Sequence, residues 1–227
     1  MTSIQFYFSH PTSIVIAGPS RSGKTCFVFT CLKHSLIQPF PKRIVWFYKE
    51  WQPIYDRIKQ ILPQTEFAHG IDNEILEKIQ ASEKNIVVLD DLMTSAGESK
   101  QISKLFTQDA HHKNLTVIFI LQNVFYHGRE MGTISLNAHY LVLSKNPRDK
   151  LQIRYVAHQI FPENSKYLTN VYEHATQNPH ISSHRSSSRN ARAIQRLEQY
   201  IPRVTNSVLF ASFSIKGRPD YLQKDKS

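Results

Sequence analysis

The stretch that decides the fold runs from residue 12 to residue 25 and reads Thr-Ser-Ile-Val-Ile-Ala-Gly-Pro-Ser-Arg-Ser-Gly-Lys-Thr. Its first part, 12–17, is a short apolar run with β-branched residues, which predicts a buried strand. Its second part, 18–25, satisfies the pattern G-x-x-x-x-G-K-[ST]. The match follows a predicted strand and opens a predicted helix (25–36). That is the context in which this pattern binds phosphate.

Each part of this loop has a physical role in holding phosphate groups. The two glycines let the backbone turn tightly, and successive N–H groups form an anion-binding concavity at a helix N-terminus. Lys24 is expected to reach the β- and γ-phosphates, and Thr25 to place its hydroxyl on Mg²⁺. The residues predicted to bind ATP are Gly18, Pro19, Ser20, Arg21, Ser22, Gly23, Lys24 and Thr25.

Four further apolar runs predict the remaining strands of a sheet, at 43–48, 86–89, 115–121 and 140–143. Segments with helical spacing occur between and after these runs, at 51–62, 72–79, 99–110, 150–160 and 166–175. Alternating strands and helices imply an α/β domain with three layers around a mainly parallel sheet. Because the strands are almost continuously apolar, we expect helices on both faces of that sheet.

Polar residues directly follow two of the predicted strands. Asp90 and Asp91 follow the run 86–89. Asp90 is predicted to hold Mg²⁺ through water, and Asp91 to orient or activate an attacking water. The alternative for Asp91 is an N-cap of the next segment. Gln122 follows the run 115–121 and is expected to contact the γ-phosphate or its water, the alternative being a polar strand end that meets solvent.

The long separation between Lys24 and Asp90 favours one topology among phosphate-loop proteins. A predicted strand and two predicted helices lie between them in the sequence. This suits a RecA-like arrangement, in which another strand lies between the two motif strands. It suits less well the small nucleotide kinases, in which these two strands are adjacent.

The composition is that of a folded, basic protein. The chain has 227 residues, of which 41% are hydrophobic, and 28 Lys and Arg against 18 Asp and Glu give a net charge of +10. Such a charge favours polyanionic partners: nucleic acid, anionic lipid or acidic protein. No apolar run approaches the roughly 18 residues of a membrane span, and no signal peptide is evident. The two cysteines fit a reducing compartment, so we expect an intracellular protein that is not secreted.

The composition shifts near residue 180, which predicts the domain organisation. We expect a P-loop ATPase domain over 1–179 and a basic, Ser-rich linker over 180–192. A C-terminal extension over 193–227 should contain a short helix, an extra strand within 207–215 and a loose tail.

Five blocks of the sequence resemble a known family. The blocks are GPSRSGKT (18–25), FYKEWQPIYD (47–56), IVVLDD (86–91), FILQNVF (119–125) and TISLNAHYLVLSKNPRD (133–149). Together they resemble the viral DNA-packaging ATPases of the FtsK/HerA superfamily. The similarity is greatest to the enzymes of Polinton-like and adintovirus-like elements, which are related to the poxvirus packaging ATPase.

The resemblance implies a RecA-like P-loop NTPase that forms a homo-oligomeric ring, expected to be a hexamer. The ring would hydrolyse ATP with Mg²⁺ and move double-stranded DNA into a capsid, in contact with a capsid or portal-vertex protein. It would act in the virion or in the host nucleus or cytoplasm. The site would lie between subunits, so that a neighbour supplies an arginine to the transferred phosphoryl group. Arg129 and Arg148 are both candidates for that arginine.

Two other functions remain open at this point. The domain could bind nucleotide without turnover and act as a DNA- or capsid-interacting protein, since Asp91 stands where a glutamate is commoner. It could also be a helicase-like motor that separates strands, although so short a chain shows no strand-separating insertion.

Overall fold

The predicted strands and helices that fall within the described residues are present in a computed structural model of the chain. It describes residues 7–92, 100–106, 110, 113–123, 134, 137–146, 150–160, 162–177 and 208–212. The elements, in chain order, are β1 (Phe8–Ser9), β2 (Ser13–Ala17), α1 (Lys24–Lys33), β3 (Ile37–Gln38), β4 (Arg43–Tyr48), α2 (Pro53–Ile61), β5 (Thr65–His69), α3 (Asn73–Glu77), β6 (Asn85–Asp90), α4 (Lys100–Lys104), β7 (Leu115–Leu121), β8 (Tyr140–Ser144), α5 (Lys150–Ile160), a 3₁₀ turn (Pro162–Asn164), α6 (Ser165–Gln177) and β9 (Val208–Ser212).

One sheet of seven strands organises the described residues, in the order β5-β4-β6-β7-β2-β8-β9. The first six strands run parallel, and β9 pairs antiparallel with β8. β7 lies between β2, which leads into the phosphate loop, and β6, which ends at Asp90. The α/β class and the strand inserted between the two motif strands are therefore confirmed.

The period-two geometry of the strands distributes the apolar side chains to two faces of the sheet. Val15, Val87 and Phe119 belong to one buried cluster, which also contains residues of α4, α5 and α6. Ile16, Val88 and Ile118 belong to the second cluster, together with residues of α1 and α2. Because both faces are covered, the strands have no polar face, as the continuous apolar runs predicted.

The helix boundaries follow local signals in the sequence. α2 begins with a proline in its first turn. Proline is tolerated there because the N–H groups of the first turn have no acceptor within the helix. α3 begins after Asp72, whose Oδ1 accepts hydrogen bonds from the backbone N–H groups of Glu74 and Ile75, at 2.9 and 3.3 Å. None of the helices in the described ranges combines the length and apolar character that crossing a bilayer requires.

The structure adds strands that the sequence patterns did not predict. β5 forms one edge of the sheet, and the two-residue strands β1 and β3 form a separate parallel pair. β9 falls within the run 207–215, for which a strand was predicted, and it forms the opposite edge of the sheet. The linker 180–192, the helical segment 193–200 and the tail lie outside the described residues, so the division of the chain at residue 180 stays a prediction.

The first residue of the phosphate loop is tightly enclosed by the end of β8. A Cβ atom built on Gly18 would lie 2.5 Å from the Cβ atom of Ser144 and 2.9 Å from its Oγ. The backbone N–H of Gly18 also donates to the carbonyl oxygen of Leu121, at 3.2 Å, which fixes the start of the loop to β7. Glycine at position 18 is therefore required by the close approach of two strands.

Replacing Gly18 by Ala should lower the free energy of unfolding by about 1–3 kcal/mol, because the new methyl group overlaps Ser144. The Ser144→Gly variant removes the atom that it would meet. The cost of Gly18→Ala should therefore be much smaller in the Ser144→Gly background, as measured by urea unfolding of the four proteins in a double-mutant cycle. Equal costs in both backgrounds would contradict this steric account.

Candidate active site

A cavity of about 390 Å³ opens at the carboxyl end of the sheet. Its size is within the range of small-molecule sites, and its position is the one at which open parallel sheets bind ligands. The parallel register brings the polar residues that follow β6 and β7 to the same edge as the phosphate loop that follows β2. The lining residues are Ser20, Arg21, Gly23, Lys24, Thr25, Cys26, Gln52, Pro53, Ile54, Asp90, Asp91, Ile120, Leu121 and Gln122.

The loop backbone has the geometry of an anion-binding nest. Arg21 and Gly23 both adopt left-handed conformations, with φ of 65° and 84°. Gly23 is the N-cap of α1, and no side chain caps the helix, nor does an acidic residue occupy its first turn. The N-terminal amides of α1 are thus left for an external acceptor, where the helix dipole favours an anion.

The side chain of Lys24 lies against the phosphate loop. Its Nζ donates to the carbonyl oxygens of Gly18 and Pro19, at 2.8 and 2.9 Å. Burial lowers the pKa of Lys24, and the charges of Asp90 and Asp91 oppose that shift. A cation so placed, at the mouth of an amide nest, is suited to a polyphosphate.

Asp90 is the most enclosed acid of the site, and the residue as a whole is 2% exposed. Its Oδ2 accepts hydrogen bonds from Thr25 Oγ1 at 3.1 Å and from the hydroxyl of Tyr55 at 2.9 Å. The first bond joins the helix after the phosphate loop to the end of β6. The second joins α2 to the same oxygen.

Asp91 and Gln122 form the outer side of the cavity. Gln122 Nε2 donates to Asp91 Oδ1 at 3.1 Å. Asp91 has a φ of 58°, a conformation that aspartate tolerates better than most residues. The two side chains therefore hold each other at the carboxyl ends of adjacent strands.

The oxygen atoms that line the cavity suit a magnesium ion that is bound by the protein together with water and phosphate. They do not suit a metal that is bound by protein side chains alone. Mg²⁺ usually binds one or two protein oxygens together with waters and substrate phosphates. Thr25 Oγ1 and the Asp90 carboxylate are adjacent, and both line the cavity. Within the described residues no group of three or more His, Cys, Asp or Glu side chains could form a metal cage. Thr25 and Asp90 are the residues that would hold the ion.

Comparison with known proteins places this geometry in a structural context. No protein-family model matches the chain, and no curated protein is significantly similar to it. The DNA-packaging ATPase of Sulfolobus Turreted Icosahedral Virus is similar in structure, with a TM-score of 0.51 and 14% identity over 71% of this chain and 88% of that chain. The genome-packaging NTPase of Sulfolobus turreted icosahedral virus 2, in complex with AMPPCP, gives a TM-score of 0.50 and 13% identity over 70% and 87%.

The chain shares its fold with these two viral packaging proteins. The resemblance to viral DNA-packaging ATPases that the sequence blocks indicate is therefore confirmed for the fold, and so is the RecA-like, three-layer class.

The structure brings together most of the residues predicted for the site. Lys24, Thr25, Asp90, Asp91 and Gln122 all line the same cavity. The two arginine candidates, Arg129 and Arg148, lie outside the described residues. Gln52 and Tyr55 were missed as site residues. Both belong to the block 47–56, which indicated the family resemblance. No pattern within that block predicted that Gln52 would line the cavity or that Tyr55 would contact Asp90.

The enclosure of Asp90 has an energetic cost when the carboxyl group is ionised. Burial raises the pKa of Asp90 from its usual value of 3.8 to about 6, although the hydrogen bonds from Tyr55 and Thr25 oppose the shift. Because the folded state binds this proton more tightly than the unfolded chain, the contribution of Asp90 to stability falls as pH rises from about 4 to about 6.

Asp90→Asn should therefore stabilise the metal-free protein at neutral pH. The raised pKa of Asp90 corresponds to a loss of about 3 kcal/mol in the free energy of unfolding at pH 7.5 and of about 1 kcal/mol at pH 4.5. The loss is smaller at the lower pH because the carboxyl group is largely protonated there in the folded state. Urea unfolding in the presence of a chelator at both pH values measures the difference. A stability change that is the same at both pH values would contradict the assignment of this cost to the carboxylate charge.

Proposed function

We propose that this protein is a P-loop ATPase that couples the hydrolysis of ATP to ADP and phosphate to the movement of double-stranded DNA. Its role would be to package a viral or virus-like genome into a capsid, in the virion or in the host nucleus or cytoplasm. The observation that carries the proposal is the convergence of five side chains on one cavity, in the fold of a DNA-packaging ATPase. These side chains are Lys24, Thr25, Asp90, Asp91 and Gln122.

The inner part of the cavity is suited to hold the triphosphate. The amides of residues 20–25 and the ammonium group of Lys24 would neutralise the β- and γ-phosphates. Lys24 would exchange its two loop carbonyls for phosphate oxygens. Mg²⁺, when bound at Thr25 and Asp90, would supply charge neutralisation at the β- and γ-oxygens. A structural neighbour was solved with AMPPCP, an ATP analogue, which supports a nucleotide as the ligand.

The outer part of the cavity is suited to manage the attacking water. Gln122 donates to Oδ1 of Asp91 and so fixes the carboxylate at the strand ends. The carboxylate would accept the proton of the water as its oxygen attacks the γ-phosphorus, while the bond between that phosphorus and the β–γ bridging oxygen breaks. Asp91 would act as general base, and Gln122 would orient Asp91 and contact the γ-phosphate.

The coupling to DNA rests on charge and on family resemblance. A net charge of +10 favours a polyanionic track, and binding through phosphates would be independent of base sequence and sensitive to salt. The two viral proteins compared above are described as a DNA-packaging ATPase and a genome-packaging NTPase. We extend this to a homo-oligomeric ring, expected to be hexameric, that contacts a capsid or portal-vertex protein.

The ATPase activity should depend on Lys24, on protein concentration and on DNA. Lys24→Ala is expected to lower kcat by at least about 100-fold, since it removes a cation from the developing phosphoryl charge. Lys33→Ala is the matched control, because Lys33 is an exposed lysine at the other end of the same helix. Phosphate release is measured against protein concentration, with and without double-stranded DNA, and we expect the rate per subunit to rise with both.

Three results would redirect the proposal, two from that assay and one from a strand-separation assay. Wild-type turnover by the Lys24→Ala variant would reject this cavity as the hydrolytic site. Binding of ATP without hydrolysis, even with DNA at high protein concentration, would instead favour a nucleotide-binding protein that contacts DNA or capsid. Separation of strands on a forked DNA substrate would identify a helicase-like motor.

A neighbour's arginine can be recognised by mixing variants. A Lys24→Ala subunit lacks its own site but can still donate an arginine, whereas an Arg→Ala subunit keeps its site but lacks the donated group. If Arg129 or Arg148 acts in trans, its alanine variant should lose about 10³-fold in kcat and regain activity when mixed with Lys24→Ala. Mixing with a variant that carries both substitutions is the control. Lack of recovery for both arginines would exclude them as trans-acting groups.

A further inference from the structure

Tyr55 occupies a position that the proposed chemistry does not use. It lies in α2, and its side chain is fully buried. Its hydroxyl donates to Asp90 Oδ2 at 2.9 Å, the same oxygen that accepts from Thr25 at 3.1 Å. Among the described residues no donor reaches the other oxygen, Oδ1. One carboxylate oxygen is thus occupied twice and the other is left for a ligand.

The ring of Tyr55 is held as firmly as its hydroxyl. It packs against Trp46, Tyr48, Trp51 and Phe67, with ring centroids 5.3–5.7 Å apart. These rings come from β4, from β5 and from the segment between β4 and α2. A side chain fixed by four aromatic neighbours cannot swing away, so its hydroxyl is a rigid donor.

The helix that carries Tyr55 also borders the nucleotide cavity. Gln52, Pro53 and Ile54, at the start of α2, line the cavity, and Tyr55 follows directly. The orientation of the Asp90 carboxylate is therefore tied both to the phosphate loop, through Thr25, and to α2, through Tyr55.

We propose that Tyr55 is a positioning residue for the metal of this site: by holding Oδ2 of Asp90, it presents Oδ1 to the Mg²⁺ that accompanies the nucleotide. The inference rests on the proposed function. Residues that hydrogen-bond to a metal ligand without contacting the metal typically contribute 10- to 100-fold to metal affinity or activity. Tyr55 does not itself touch the nucleotide or the metal.

The test is the Tyr55→Phe variant, which removes only the hydroxyl. Its matched control is Tyr48→Phe, because Tyr48 lies opposite Asp90 on the neighbouring strand, and its hydroxyl makes no hydrogen bond within the described part of the chain. Binding of AMPPCP is measured by calorimetry with and without Mg²⁺, and Mn²⁺ binding to the AMPPCP complex is measured by electron paramagnetic resonance.

We expect Tyr55→Phe to weaken the affinity for Mg²⁺ and Mn²⁺ by 10- to 100-fold. Its affinity for AMPPCP without metal should stay within about two-fold of wild type, since the phosphate loop is unchanged. Tyr48→Phe should match wild type in both measurements. A merely structural role for Tyr55 would lower thermal stability without this selective loss of metal affinity.

The outcomes separate this inference from the proposed function. If wild type binds Mg²⁺ and AMPPCP, and Tyr55→Phe binds the metal equally well, the positioning role is overturned while the nucleotide site stands. If wild type binds no nucleotide, the proposed function fails first. Should Tyr55→Phe not fold, 3-fluorotyrosine labelling replaces it. The ¹⁹F resonance of residue 55 should then shift when Mg²⁺ is added to the AMPPCP complex, and an unmoved resonance would reject the role.

Discussion

A single carboxylate oxygen, Oδ2 of Asp90, joins three parts of the molecule that are far apart in the sequence. Thr25 reaches it from the helix after the phosphate loop, Tyr55 from α2, and Asp90 itself ends β6. In the sheet, β7 lies between β2 and β6, so the contact between Thr25 and Asp90 spans an intervening strand. The geometry of the cavity thus depends on the two hydroxyl groups that meet at this one oxygen.

The site is built at some expense to the stability of the fold. Asp90 is ionisable yet almost fully buried, and its raised pKa records the cost of enclosing a charge there. Arg21 and Asp91 adopt left-handed backbone conformations, which are unfavourable for residues with a side chain. Such features concentrate at functional sites, and here they occur at the loop and strand ends that line one cavity. The large apolar clusters on both faces of the sheet offset them.

Much of the fold could be predicted because its signals are local. A buried parallel strand needs a continuous apolar run, and the runs around Val15, Val87 and Phe119 have no competing interpretation. The phosphate loop is equally local, because eight consecutive residues supply its backbone turn, its cation and its hydroxyl. Asp90, Asp91 and Gln122 were recognisable because they directly follow such runs.

The remaining features depend on contacts that no local pattern encodes. β5 reads Thr-Glu-Phe-Ala-His, an edge strand with polar residues at three of its five positions, so it lacks the apolar run of the central strands. Tyr55 has the helical spacing of an ordinary core residue, and only the packing of α2 against β4 brings its hydroxyl to Asp90. Roles for Arg129 and Arg148 depend on a neighbouring subunit and stay predictions.

The position of β2 in the sheet has a consequence for how the chain acquires its structure. Both partners of β2 follow it at a distance of about 100 residues or more: Val15 pairs with Phe119 on one side and with Leu141 on the other. During synthesis this apolar strand cannot pair with β7 and β8 until both have left the ribosome. Pairings over such distances are slow to form and leave strand edges exposed meanwhile. The phosphate loop, which directly follows β2, would therefore take its final shape only after β7 and β8 have been synthesised.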